Sequence, residues 1–372
     1  MPDSSSSVPA PRAPLDAERR YQDHILVGVS RTFALTIPTL PDSLREVVGN
    51  GYLLCRIADT IEDDPGLTIE EKRAFADTFS DIVTGRGEAA AFARELAPRL
   101  SDVISQDEKD LVAHTPDVIR LTHSFNPAQQ TALARCVRIM SRGMIDYQES
   151  ESLDGLPDQP AMDRYCYFVA GVVGEMLTSL FADHDPRIAA RAQQMHALGV
   201  SFGQGLQMTN ILKDIWIDRS RGACWLPREV FARHGVELRH IDRARGAPGY
   251  ERALLELVGT AHGHLCNALN YTLLIPRSQA GIRRFCLWAL GMAVMNLRKI
   301  AAHPDFADGA EVKITRRTVK RTVAATSVAA RSNLALRAMF AIAAMPLPPT
   351  NAARLLDELS VSLAPAADGV AP

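Results

Sequence analysis

Apolar residues recur at i, i+3, i+4 and i+7 from Asp16 to about Met345, and alternating runs closed by Asn-Gly turns are absent. That period predicts an all-α protein. Clusters of Pro, Gly and Asp interrupt it at Pro38 to Pro41, Pro65-Gly66, Gly85 to Gly87, Asp154 to Pro160, Arg219 to Pro227, Gly246 to Gly249 and His303 to Gly309. No shift of composition accompanies the breaks, so residues 16–345 read as one helical domain. The Ser- and Pro-rich residues 1–15 read as a disordered tail. Residues 346–372 read as a C-terminal extension, partly disordered, with one helix near Asn351 to Leu363.

Two of the helical segments carry a polar line beside an apolar stripe. Between Leu44 and Ala58, Leu44, Val47, Val48, Gly51, Leu54, Cys55 and Ala58 form the stripe, while Tyr52, Arg56, Asp59 and Asp63 stack along a second face with Glu62 beside it. Between Phe202 and Asp218, Gln207, Asn210, Asp214 and Asp218 repeat the geometry. Like charges one turn apart repel by a few tenths of a kcal/mol when exposed, and by more where solvent is scarce, so such rows call for a cation. Magnesium is hard, prefers carboxylate oxygen and commonly binds through one or two carboxylates plus substrate phosphate; two facing rows would hold a diphosphate between them. Taken alone, DTIEDD reads more readily as a solvated acidic helix end. Two rows of matching spacing favour metal binding.

Composition narrows the classes. Apolar residues make up 47% of the 372 and charged residues 23%, enough for a large core, and a formal charge of -2 gives no global field that would draw nucleic acid. The six cysteines are spread out without a CxxC pair and read as reduced core residues. The first residues lack the apolar core of a secretory signal, and no stretch reaches about 18 uninterrupted apolar residues; Leu334 to Met345 is short and carries Arg337. The expectation is a soluble, cytoplasmic chain.

Five ordered segments resemble the squalene/phytoene synthase family of trans-isoprenyl diphosphate synthases: SRTFALTIPTLP (Ser30 to Pro41), YLLCRIADTIEDD (Tyr52 to Asp64), MSRGM (Met140 to Met144), YCYFVAGVVGEMLTSLF (Tyr165 to Phe181) and LQMTNILKDIWIDRSRGACWLP (Leu206 to Pro227). The resemblance implies a single-domain orthogonal helix bundle of the isoprenoid synthase fold, around a deep apolar cavity with the two acidic helices at its mouth. It implies head-to-head joining of two farnesyl diphosphate molecules through a cyclopropyl diphosphate. Asp59, Glu62, Asp63, Asp214 and Asp218 match the family's magnesium positions, and Asn210 shares their line. Tyr165 matches a tyrosine proposed to assist proton removal, and Val169 and Gly174 match positions lining the second prenyl pocket. On residue chemistry alone, Gly171 to Gly174 is also a close helix contact.

Carbon–oxygen cleavage needs stabilisation of the departing diphosphate, for which Arg31, Thr32, Arg56, Lys213, Arg219 and Arg228 are candidates, with Tyr52 and Gln207 on the same faces. Arg219 and Arg228 also fit ordinary loop charge. Phe285 to Arg321 resembles the squalene synthase stretch that starts at Phe-Cys and ends in a Val-Lys-Ile-Arg cofactor element, which implies NADPH, with Lys313, Arg316 and Arg317 as its phosphate grip. Thr315 stands where that element usually has Arg, Ala289 where Pro is usual, and Ile217 where the second acidic motif has Glu. The alternatives are dehydrosqualene, phytoene or hydroxysqualene formation without NADPH, and a silent lipid-binding member. A hydrocarbon product also implies peripheral contact with the inner face of a membrane through a late amphipathic helix.

Overall fold

The computed structural model describes residues 15–30 and 32–362, and the side chains of these up to Leu359. Residues 1–14 of the expected N-terminal tail, Arg31 and residues 363–372 lie outside the described residues. We number the longer helices α1 (Asp16–Val29), α2 (Asp42–Asp63), α3 (Ile69–Val83), α4 (Pro127–Glu149), α5 (Gln159–Cys166), α6 (Val172–His184), α7 (Ala192–Ser220), α8 (Pro248–Leu274), α9 (Ala280–Ala302), α10 (Arg316–Ala329), α11 (Asn333–Ala344) and α12 (Ala352–Ser362).

Local chemistry starts and stops these helices where the sequence punctuates them. Thr68 with Glu71 caps α3 and Asn126 with Gln129 caps α4 in reciprocal boxes, and Pro127 and Pro248 occupy first turns, where a missing N–H costs nothing. The acidic helix α2 ends at Asp64, which is buried and accepts from Gly66 N–H at 2.6 Å and Ser101 N–H at 2.8 Å. The last Asp of DTIEDD is therefore a turn former. Among the described residues the only bridge of extended backbone joins Leu156 to Pro227, so the all-α expectation holds.

Packing places the two acidic helices on a shared frame. α7 runs through the middle, against α6, α8 and α9, while α2 lies on α1, α4 and α6. α6 thus touches both acidic helices. Its contact with α7 is made by glycines: a Cβ on Gly174 would lie 2.0 Å from the Gly199 carbonyl oxygen, and one on Gly203 would lie 2.1 Å from that of Ala170. Between α5 and α6 the chain makes one π-helical turn, Tyr167–Gly171, with Val172 N–H reaching back to the Tyr167 carbonyl. Such a turn shifts Tyr165 out of register with α6, which the periodicity gave no sign of.

Among the described residues two helical stretches are long and apolar enough to cross a bilayer, Gln159–His184 with mean hydropathy 1.4 and Ala280–Ala302 with 1.3. Both are bundle elements flanked by neighbours on several sides. All six cysteines are free, five of them buried, as read from the sequence. Residues 346–359 lie along α8: His262 Nδ1 is 2.9 Å from the Pro348 carbonyl oxygen and Asn267 Nδ2 donates to Ala352 O at 3.0 Å. Replacing Gly203 by Ala should force α7 from the π turn and cost about 1–3 kcal/mol in urea unfolding, the range for overpacked cores; an unchanged midpoint would show that the contact has slack.

Candidate active site

The first acidic row is built around Arg56. Its guanidinium donates to the Tyr52 hydroxyl at 3.2 Å and Glu108 at 3.5 Å, and lies 3.8 Å from Asp59. The Tyr52 hydroxyl in turn donates to Val29 O at 2.9 Å. Burial works against the charge of Arg56, but Asp59, Tyr52 and Glu108 outweigh it and hold the group protonated. Its Nε is buried and has no hydrogen-bond partner, a donor left over for a ligand.

The carboxylates lack matching cations. Burial pushes Asp59 up to about 7 and Glu62 up to about 8, with neighbouring acids adding to both, and raises Asp63 as well. Asp59 nevertheless keeps 25% of its side chain accessible. Shifted yet accessible acids mark a cleft rather than a core or an open surface. Lys72 offsets Glu62 and Asp63 only in part, and its Nζ donates to the Glu62 carbonyl and, at 2.9 Å, to Gln148 Oε1, while Gln148 donates to the same carbonyl at 3.1 Å. That cation and amide satisfy the open end of α2, where the helix dipole favours positive charge.

The second row sits on the last turns of α7. Lys213 Nζ lies 2.8 Å from Asp214. Asp218 is pushed up to about 7 by burial first and Asp214 second, with Arg221 opposing. Gln207 is partly buried and Asn210 exposed, and neither side chain has a partner among the described residues.

Charge interactions cross from one row to the other. Arg221 lowers both Asp63 and Asp218, and Glu151 raises both Glu62 and Asp218. Tyr165 feels both rows: burial raises its phenol well above the usual value, and Glu62 and, less strongly, Asp218 and Asp63 raise it further. Its ring stacks on Trp225 at 4.1 Å and 6°, with Tyr147 at 5.3 Å on a tilt. Trp225 is delivered by the pairing of the two loops, in which Leu156 N–H donates to Leu226 O at 2.9 Å. Gly155 makes the pairing possible: φ is 76°, and a Cβ there would lie 2.5 Å from the Leu226 carbonyl oxygen.

Among the described residues no three His, Cys, Asp or Glu side chains are placed to ligate one ion. The donor set still fits magnesium in its usual mode, one or two carboxylates from a side with waters and substrate phosphate completing the shell. Arg56, with its spare N–H, adds a cation beside the first row.

Several of the expected site residues lie apart from the two rows or make other contacts. Arg219 is turned away from the rows and holds the following loop, donating to Leu238 O at 2.9 Å, Arg239 O at 3.1 Å and Asp242 at 2.7 Å. Arg228 is exposed and acts on Asp154. Gly174 lies in the contact between α6 and α7 described above, so its missing side chain serves packing. Thr32 is exposed at the start of the short helix Phe33–Thr36, and Val169 is partly buried against the core. Residues that the sequence reading missed are Glu151, Arg221, Lys72, Gln148, Tyr147 and Trp225. Arg221 follows Asp218 in the Arg-rich loop, which was its one local signal.

The expected cofactor segment abuts the second row. Helix Gly309–Val312 approaches so closely that a Cβ on Gly309 would lie 2.7 Å from Lys213 O and 3.3 Å from Asp214 Oδ1. Beyond it Ile314 N–H donates to Asn296 at 3.2 Å, and Lys313, exposed, accepts through its carbonyl from Lys299 at 2.8 Å. Arg316 and Arg317 line a shallow recess of about 460 Å³ with Lys320 and Arg321.

The model of the Squalene/phytoene synthase family matches residues 26–318. Squalene synthase ERG9 of Candida albicans is 29% identical over 304 residues, which cover 79% of this chain and 64% of that protein. The chain spans less than two thirds of the length of the first curated relatives it matches. Among solved structures, TcSQS in complex with the ligand BPH1237 superposes with a TM-score of 0.72 at 22% identity, covering 92% of this chain and 96% of that one. A dehydrosqualene synthase in complex with ligand gives 0.64 at 17%, covering 86% and 98%. These two likenesses establish the isoprenoid synthase fold.

The raised carboxylates carry a stability signature. Their folded values lie above the unfolded range near 4, so the folded state keeps protons that the unfolded chain releases, and stability falls as pH rises from about 4 to 8. In metal-free protein, Glu62→Gln should therefore raise the melting temperature at about pH 8.5 and change it little at about pH 5. Equal effects at both pH values would mean that Glu62 is not held in its raised state.

Proposed function

The chain belongs to the squalene/phytoene synthase family, and from that premise we propose that it is a squalene synthase, joining two farnesyl diphosphate molecules through presqualene diphosphate and reducing the product with NADPH. The observation that carries the reading is the pair of under-compensated acidic rows with Tyr165 near both. Asp59, Glu62 and Asp63 on one side and Asp214 and Asp218 on the other would hold magnesium, with Asn210 alongside. Bound there, magnesium supplies positive charge to a departing diphosphate. Arg56 offers its unpartnered Nε and Lys213 its ammonium to the same oxygens, both within the cleft before substrate arrives.

The aromatic groups serve the other half of the reaction. Phe33, Tyr52, Tyr165 and Trp225 are partly buried aromatic side chains packed on the core. They offer π surface to an allylic cation and little hydrogen bonding to water that would quench it. Tyr165 is held as a neutral phenol, so its oxygen can take the proton from the carbocation as its own O–H proton passes to an oxygen of the released diphosphate, which leaves the phenol neutral. Val169 and Leu206 are apolar and partly open, suited to a prenyl chain.

For NADPH, the recess of Arg316, Arg317, Lys320 and Arg321 would take the phosphates, with Lys313 beside it and the preceding segment leading to Asp214. NADPH supplies the hydride that ends the second half-reaction. One observation favours the reading without it: the hydroxyl of Thr315 caps α10, accepting from Thr318 N–H at 3.2 Å, and offers no cation of its own.

Product analysis by mass spectrometry, with purified protein, farnesyl diphosphate and magnesium, separates the readings. Squalene only with NADPH is the expected result; dehydrosqualene or hydroxysqualene regardless of NADPH would retain the acidic site and overturn the cofactor assignment. Tyr165→Phe should slow turnover by about a hundredfold or more, the scale of a lost general acid–base group, with magnesium binding unchanged.

A further inference from the structure

Tyr165 leads directly into the π-helical turn Tyr167–Gly171, which has no counterpart elsewhere among the described residues. Such turns are rare, occur mostly singly inside α-helices and need a local cause. Tyr167, the first residue of the turn, is tied forward across it. Its hydroxyl donates to Glu175 Oε2 on α6 at 3.3 Å. On the way its ring lies over Gly171, where a Cβ would come within 3.0 Å of Tyr167 Cδ2. Residues eight apart in an α-helix are turned about 80° from one another, whereas residues seven apart share a face to within about 20°. The residue added by the π turn brings the eight-residue pair close to the seven-residue placement. The turn and the Tyr167–Glu175 hydrogen bond therefore support each other.

Glu175 is itself fixed. Arg135 on α4 donates to the same carboxylate oxygen, and the Glu175 side chain keeps only 15% of its surface accessible. Arg135, Tyr167 and Glu175 thus join α4, the π turn and α6, and none of them belongs to either acidic row. The next residue, Phe168, fills the notch that Gly143 leaves on α4. Its ring meets Tyr167 edge-on at 5.5 Å and Tyr147 at 6.0 Å, and Tyr147 is the neighbour of Tyr165 described above. An ordinary ion pair near the surface contributes little. This one also receives a hydroxyl from the turn that carries Tyr165.

We propose that Tyr167 is a positioning residue, its hydrogen bond to the Glu175–Arg135 pair locking the π turn and so fixing how Tyr165 lies against Trp225. Relaxation of the turn to α geometry would shift the register by one residue and turn Tyr165 by about 100° relative to α6. The consequence for rate rests on the role given to Tyr165 under the proposed function; the consequence for geometry does not.

Tyr167→Phe removes one oxygen atom and keeps the ring. The full chain has three tryptophans, Trp216, Trp225 and Trp288, and fluorine NMR of protein labelled with 5-fluorotryptophan reads each of them, with assignment by single Trp→Phe variants. Tyr167→Phe should shift or broaden the Trp225 resonance and leave the other two in place. Turnover of farnesyl diphosphate should fall about tenfold or more with KM little changed, as for a small misplacement at the reacting centre. Glu175→Gln keeps an oxygen for the hydroxyl and should retain the wild-type Trp225 resonance, whereas Glu175→Leu should reproduce the Tyr167→Phe spectrum. A moved Trp225 resonance in a protein whose wild type turns over no farnesyl diphosphate would uphold the positioning and sink the enzyme reading alone. A Trp225 resonance unmoved by Tyr167→Phe and Glu175→Leu, equal shifts in all three resonances, or a moved resonance with wild-type turnover would each overturn the proposal.

Discussion

Acidic side chains brought together in a cleft, without enough cations to balance them, are the constraint around which this molecule is arranged. Asp59, Glu62 and Asp218 are all raised well above the ordinary carboxylate range, because burial first and neighbouring acids second favour the uncharged form. The obvious internal remedies are spent elsewhere: Lys72 on a helix-end carbonyl, Arg219 on the loop after α7. What remains is a set of oxygens whose charged state Arg56, Lys213 and Arg221 stabilise only in part. Such a site trades stability for affinity.

Holding repelling groups in place demands a frame that cannot relax. The glycine contacts between α6 and α7 bring helix backbones close enough to fix their relative positions, since any side chain there would collide with a carbonyl. Asp64 and Lys72 fix the end of α2 from two directions. The Leu156–Pro227 bridge fixes the roof, setting Trp225 flat against Tyr165. Gly309 lets the C-terminal third press against Lys213 and Asp214, so a segment distant in sequence reaches the second row.

The helical repeat and the two acidic lines were legible in the chain because both depend on spacing within one element. Tyr52, Arg56, Asp59 and Asp63 share a face of α2 whatever surrounds them. Glu151 and Arg221 were not legible, since each lies just beyond a helix end and gains its role only from where two loops meet. Arg219 misled for the same reason: its sequence position beside Asp218 says nothing of the three acceptors that the loop provides. Gly174 was open to two readings, a pocket wall or a backbone contact, and only the position of the Gly199 carbonyl decides. The π turn at Tyr167–Gly171 leaves no mark in the apolar pattern, because Tyr, Phe and Val suit either helix.

Whether the two rows act as one divalent cation and diphosphate site is tested most directly by calorimetry. Magnesium would be titrated into protein with inorganic diphosphate near pH 7, in buffers of different ionisation heats, to count the protons set free. Saturable binding with proton release, reduced when Glu62 is replaced by Gln and lost when Asp218 is replaced by Asn, is the predicted result. Magnesium uptake unchanged by either replacement, or binding without release of protons, would contradict it.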